Sequence, residues 1–303
     1  MSLLDKIQGW IKEPPPDYLF EITEHGVAWA QTREPAQARV HLSPDKVFDV
    51  SPSTTNLMHY EAFRSVLPKI GNGGSLGRAK AALAIPDYAS RMAVLDFEEF
   101  PTDDDQRLAL VKFRLRKSVP FPIDDAKLSC SVQVGSQVQT RIEVLAVAIA
   151  RPILEEYEQV VRQQGFQVGV VVPSSLAALA LCPREPEGLT LFARAAGMVL
   201  SLVLLEQNHV RIVRCVDLSS ETEPEAGITA VTTLLQQTVA YAEDELGQRV
   251  RRLVLCGFGG HAQTIGAMFQ DEFGLDWESL RSRFGTVSQE NAGLLGLAEQ
   301  YAG

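Results

Sequence analysis

Two turns carry residue types that could hold an anion. The first is Arg194-Ala195-Ala196-Gly197, between the strand-like runs Leu191–Ala193 and Val199–Leu205. A strand, a tight turn and a hairpin can present backbone N–H groups to a phosphate, and an arginine there could pair with one. The second is Gly257-Phe258-Gly259-Gly260, which joins the strand-like Arg252–Cys256 to a helical pattern over His261–Phe273. A glycine turn leading into a helix N-terminus is an anion-binding arrangement, although any tight strand-to-helix turn needs glycine. A third turn, Thr23–Gly26, separates Tyr18–Ile22 from Val27–Ala30 and repeats the first arrangement near the start of the chain. Other chemistry finds little support. Gly71-Asn72-Gly73-Gly74-Ser75 lacks the Gly-Lys-Ser/Thr of a phosphate loop, and no strand leads into it. The five histidines and four cysteines stand at no metal-ligand spacing. Without a Cys-x-x-Cys, reduced buried thiols in a cytoplasmic protein are the expected state.

The elements that must position these turns are legible from hydrophobic period. Val199–Leu205 lacks alternation, so it is expected to be buried on both faces. Val210–Val216 alternates Val, Ile and Cys with arginine, so one of its faces is expected to be covered. Glu206–His209 forms the hairpin turn, with Asn208 suited to a positive φ. Further strands are expected at Ala82–Pro86, Met92–Phe97, Lys127–Val134, Arg141–Ala150 and Val168–Val172. Helices are expected at His59–Ile70, after a capping box at Thr102 and Asp105, from Pro152 to Gly165, at Pro173–Cys182, at Ile228–Leu246, and at Gln289–Tyr301. The basic group Lys112, Arg114, Arg116 and Lys117 suits the later half of its helix and reads as a solvated face. Residues 31–56 read as polar and turn-rich. Residues 1–13 form a short amphipathic helix with Leu3, Leu4, Ile7, Trp10 and Ile11 on one face, ended by the stiff Pro14-Pro15-Pro16. Its mixed charges favour docking on protein over lipid.

Composition narrows the class. A chain of 303 residues, 46% hydrophobic and 22% charged, is an ordinary globular protein of two or three lobes. A formal net charge of -10 argues against a general nucleic-acid binder. No apolar run approaches eighteen residues, and the start lacks a secretory pattern.

The order and spacing of these pieces resemble the PilM-like proteins of type IV pilus assembly, relatives of FtsA in the actin-like superfamily. The resemblance covers roughly residues 17–303. It is carried by RLRKSVPFPIDDAKL, AIARPILEEYEQVVRQQGFQVGVV, LVLCGFGGHAQTIGAMF and NAGLLGLA. It implies an α/β, actin-like (ribonuclease H-like) two-lobed fold with a small inserted strand–helix–strand subdomain. The implied organisation is an N-terminal helix and linker over 1–16, a first lobe over 17–79 and 166–187, and the insert over 80–165. A second lobe over 188–287 and a C-terminal helix over 288–303 between the lobes complete it. It also implies a cytoplasmic scaffold, held at the inner membrane through its partners. The main partner would be the cytoplasmic N-terminal tail of a PilN-type bitopic protein.

The resemblance implies a nucleotide cleft as well, and this sequence departs from the family there. The family's first phosphate loop reads Asp-Ile-Gly; the matching positions are Glu21-Ile22-Thr23, with Glu24 adding a second negative charge. At the second loop the acidic position falls on Arg194, which cannot coordinate Mg²⁺, and Ala196 takes the glycine's place just before Gly197. Only Gly257, Gly259 and Gly260 keep the third loop's glycines. The cleft is therefore expected to be a remnant, with no cofactor, no metal and no ATPase activity. The alternative is a nucleotide-binding switch, or an ATPase or kinase of the actin/sugar-kinase superfamily, using Mg-ATP with Glu21 near the metal. No acid or base stands beside a phosphate loop for that role. A third reading, the cytoplasmic part of a type II secretion L-type protein, would lead one to expect a transmembrane helix after Gly303; the stop there favours a free-standing protein.

Overall fold

The computed structural model describes residues 14–66, 79–133, 141–185, 187–220 and 224–302. The helix expected over 1–13 and the glycine cluster at Gly71–Gly74 lie outside them.

The chain begins with an antiparallel meander of β1 (Tyr18–Ile22), β2 (Gly26–Gln31) and β3 (Arg39–Leu42). After α1 (Tyr60–Val66), β4 (Ala79–Ile85) joins the free side of β1 in parallel. The chain then leaves to build a separate sheet from β5 (Arg91–Phe97), β6 (Ala126–Gln133) and β7 (Ile142–Ala150), with α2 (Asp104–Leu115) packed on it. It returns through α3 (Arg151–Arg162), and β8 (Phe166–Pro173) completes the first sheet in the order β3-β2-β1-β4-β8. α4 (Ser174–Ala178) follows.

The second half repeats the plan. β9 (Leu189–Ala196), β10 (Val199–Glu206) and β11 (His209–Asp217) form a meander. α5 (Pro224–Asp244), β12 (Val250–Cys256), α6 (His261–Phe273) and β13 (Asp276–Ser279) then give the order β11-β10-β9-β12-β13. Each sheet is a three-stranded meander whose first strand also pairs in parallel with the fourth. This duplicated plan is the two-lobed, actin-like architecture implied by the sequence.

Alternation explains the layers. On the first sheet, Phe20, Ile22, Leu83 and Ile85 face a core shared with Tyr157 and Val160 of α3. Leu19, Ala28, Ala82 and Ala84 face the other way, onto Ala177 of α4 and Leu294, Leu297 and Ala298 of α7 (Ala292–Tyr301). On the second sheet, Leu191, Leu202 and Leu255 pack on α5 and α6, while Phe192, Val203 and Val254 face Ala178 and Ala292. The short α4 and the terminal α7 thus lie between the sheets.

Several expectations change. The insert is smaller than residues 80–165. β4 sits at the heart of the first sheet, and α3 buries Ile153, Tyr157, Val160 and Val161 in the first lobe's core. Only the β5–β7 sheet and α2 stand apart. The run read as turn-rich contains β3, whose Arg39-Val40-His41-Leu42 alternation is only four residues long and mostly exposed. Asp103, not Thr102, caps α2, its side chain accepting from Gln106 N at 2.9 Å. The positive φ in the β10–β11 turn falls on Gln207, at 55°. Arg211 is buried, although the alternation put it on an uncovered face. A register shift pairs Leu204 with Ile212 and Leu205 with Val210, leaving Arg211 as a bulge residue aimed at the insert.

Candidate functional site

All three glycine-bearing turns lie at or near the carboxyl ends of parallel strands, the end at which open α/β sheets take ligands. β1 ends in Glu21-Ile22, β4 runs into Pro86-Asp87, and β8 runs into Ser174-Ser175. Opposite them, β9 carries Arg194 beside Ser201 of β10 and Cys256 of β12.

These groups form one buried network. Arg194 is 2% exposed. It donates from Nη2 to Glu21 Oε1 at 2.8 Å and from Nη1 to Asp87 Oδ2 at 3.2 Å. Nη2 also reaches the Gln289 carbonyl at 3.0 Å. Glu21 accepts further from Ser174 Oγ at 2.6 Å and from Leu294 N at 2.9 Å. Asp87 accepts from Ser175 N at 2.8 Å, Ser175 Oγ at 2.5 Å and Ser201 Oγ at 2.8 Å. Every oxygen of the two carboxylates has a protein donor. Burial pushes the Glu21 carboxyl up from its ordinary value, and Arg194, Ser174 and Leu294 pull it part of the way back. Burial works against the Arg194 charge as well, but Glu21 and Asp87 outweigh it and hold the guanidinium ionised.

Above this network lies a cavity of about 380 Å³, lined among others by Thr23, Glu24, Tyr88, Arg194, Gly197 and Glu290. Thr23 belongs to the Thr23–Gly26 turn and Gly197 to the Arg194–Gly197 turn, so the fold brings these two turns to one space. The Thr23–Gly26 turn uses two of its amides internally. Thr23 N donates to the Gly26 carbonyl at 2.9 Å, and Gly26 N donates to Thr23 Oγ1 at 3.2 Å. Glu24 reaches across to the Arg194–Gly197 turn, where a Cβ on Gly197 would lie 2.8 Å from its Oε2. Its charge is met by Lys46 Nζ at 3.2 Å. Gly257 is outside the cavity lining. A Cβ there would fall 2.0 Å from the Ala195 carbonyl, so its glycine serves the close approach of β9. Gly259 and Gly260 face open space.

The strand-end carboxylates do not fit a Mg-nucleotide. A hydrated metal needs carboxylate oxygens, and Glu21 and Asp87 are committed to Arg194 and to hydroxyl and amide donors. A polyanion entering between the Thr23–Gly26 and Arg194–Gly197 turns would meet the Glu24 carboxylate and no amide of Thr23 or Gly26.

The sequence matches no family model, and no curated protein matches it closely enough to count as a relative. Solved structures do match. This chain superposes on the PilM-PilN type IV pilus biogenesis complex with a TM-score of 0.71 at 15% identity, over 96% of its own length and 100% of the other chain. It shares that protein's fold. The cytoplasmic domain of EpsL, an inner membrane component of the type II secretion system of Vibrio cholerae, aligns at a TM-score of 0.49 and 12% identity, over 94% and 93% of the two chains. A Bacteroides thetaiotaomicron protein with an actin-like ATPase fold aligns at 0.48 and 9%, over 86% and 90%. Scores below 0.5 add nothing to the first match. No helix among the described residues is long and apolar enough to cross a membrane.

Sequence reasoning missed Asp87, Ser174, Ser175 and Gln289. A positional signal was there for the first three. Each is the first or second polar residue after an apolar strand run that ends in proline, Ala82–Pro86 and Val168–Pro173. Gln289 contributes a backbone carbonyl, which its residue type does not announce.

Proposed function

We propose that this protein is a non-catalytic, PilM-like scaffold of a type IV pilus platform. In this reading it grips the cytoplasmic tail of a PilN-type bitopic membrane protein and is held at the inner membrane by that partner. The observation that carries it is the full-length match, at a TM-score of 0.71, to a chain solved in a PilM-PilN complex. The buried network supports the non-catalytic half. Mg-ATP chemistry at the strand ends would need a carboxylate there to hold the metal, and Glu21 and Asp87 are both spent on Arg194. The same network weighs against the switch or kinase reading.

The test is titration calorimetry of the protein with a synthetic cytoplasmic tail from a PilN-type protein of the same organism. Saturable one-to-one binding is expected, unchanged by Mg-ATP. No heat at millimolar peptide would end the partner assignment. Phosphate release above a protein-free control would end the non-catalytic one.

A further inference from the structure

The crevice between the carboxyl ends of the two sheets is the default place for a ligand in this kind of fold. Here it holds a cation that belongs to the chain. We propose that Arg194 is an internal occupant of this crevice, tying the first lobe to the second in one closed arrangement that needs no ligand.

The connectivity carries the argument. Arg194 stands on β9 of the second sheet, and its two carboxylate partners stand on the first lobe, on β1 and just past β4. Ser201, on β10, adds a second bond to Asp87 across the same gap. On the first-lobe side, Ser174, Ser175 and Leu294 fill the remaining acceptor positions. A guanidinium is suited to this. Its planar fork satisfies two carboxylates at once and stays charged when buried. The arrangement also resists opening. Parting the lobes would break the charge-assisted bonds from Arg194 to Glu21 and Asp87 and the bond from Ser201 to Asp87 together, among groups 0–3% exposed.

The tie is tested by neutralising it as a unit. The triple variant Glu21→Gln, Asp87→Asn, Arg194→Met keeps the two acids' sizes, replaces the guanidinium with a shorter apolar chain and leaves no buried charge unpaired. Hydrogen exchange is followed at 174–178 and 292–296, which hold the amides of Ser175 and Leu294. Exchange there should become about tenfold faster than in the unmodified protein, while β4 and β12 keep their protection. In the unmodified protein, millimolar Mg-ATP should change neither this exchange nor the melting temperature. If the triple variant does not fold, Arg194→Lys decides: it keeps the charge but loses the fork, and should give the same local acceleration to a lesser degree. Unchanged exchange in the folded variant overturns the proposal. So does a rise in melting temperature with Mg-ATP in the unmodified protein. The tail-peptide titration stands apart from this outcome, since its failure would count against the scaffold assignment and leave the tie intact.

Discussion

Two buried arginines join the second lobe to its neighbours, and their surroundings differ. Arg194 meets two carboxylates of the first lobe, with side chains 0% and 1% exposed. Arg211 meets Glu143 of the insert at 2.9 Å and Glu206 of its own hairpin at 3.5 Å, and the Glu206 side chain is 20% exposed. The second seam has another fastening. Gln133 donates from Nε2 to the Val210 carbonyl at 2.7 Å and accepts from Val210 N at 2.7 Å, capping the edge strand β11. The contrast teaches that burial alone does not make a charged contact indispensable. The carboxylates that meet Arg194 are 0% and 1% exposed, whereas Arg211 shares its seam with a neutral, two-bond clasp and a partner that water can reach.

The sharpest way to break this comparison is to remove each arginine alone. Arg194→Met should cost about 3–5 kcal/mol, because two carboxylates stay buried without their counter-charge. Urea denaturation would show it, and a loss below about 1 kcal/mol would put the two seams on a level. Gly257→Ala should come next, at about 1–3 kcal/mol, since a Cβ overlaps the Ala195 backbone next to Arg194 and cannot be relieved by a rotamer change. Arg211→Met should cost less than Arg194→Met, about 1.5–3 kcal/mol. A double variant with Gln133→Leu should lose more than the two single losses together, because the pair share one seam.

A separate effect concerns pH. Cys215 and Cys256 lie beside the Arg194 network. Burial pushes their thiols up to about 12 and about 11, from an ordinary value of 9.0. A thiol with a raised value in the folded state contributes its full stability below about pH 9. That contribution is lost as pH climbs through 9 toward 11–12, because the unfolded chain ionises first. Denaturation midpoints should therefore match at pH 7 and 8 and fall at pH 10. Neither thiol should react with iodoacetamide at pH 8 in the folded protein, as read by mass spectrometry.

Period and punctuation carried much of the architecture into view. The strand–turn–strand repeat at Tyr18–Ala30 and Leu191–Val216 exposed the duplication, and His261–Phe273 has the bounds its pattern suggests. Boundaries between lobes were less legible. The strand just before α3, β7, is in the insert, but Tyr157 of α3 stacks on Phe48 of the first lobe, a contact across more than a hundred positions that no local period encodes. The cluster was half legible. Arg194 stood out as the wrong residue for a metal site, and Glu21 as an acid at a strand end. That they answer one another could not be read, because β1 and β9 belong to different sheets. Asp87 looked like an ordinary residue after a proline.

The bond from Leu294 N to Glu21 spans 273 positions. It has a consequence for how the molecule is made. A ribosome delivers β1 first and α7 near the end of the described chain, so one face of the first sheet stays bare through most of synthesis. Leu19, Ala28 and Ala82 wait for Leu294, Leu297 and Ala298 to cover them. The nascent first lobe is thus an open, sticky half, and its face is closed only when α7 arrives.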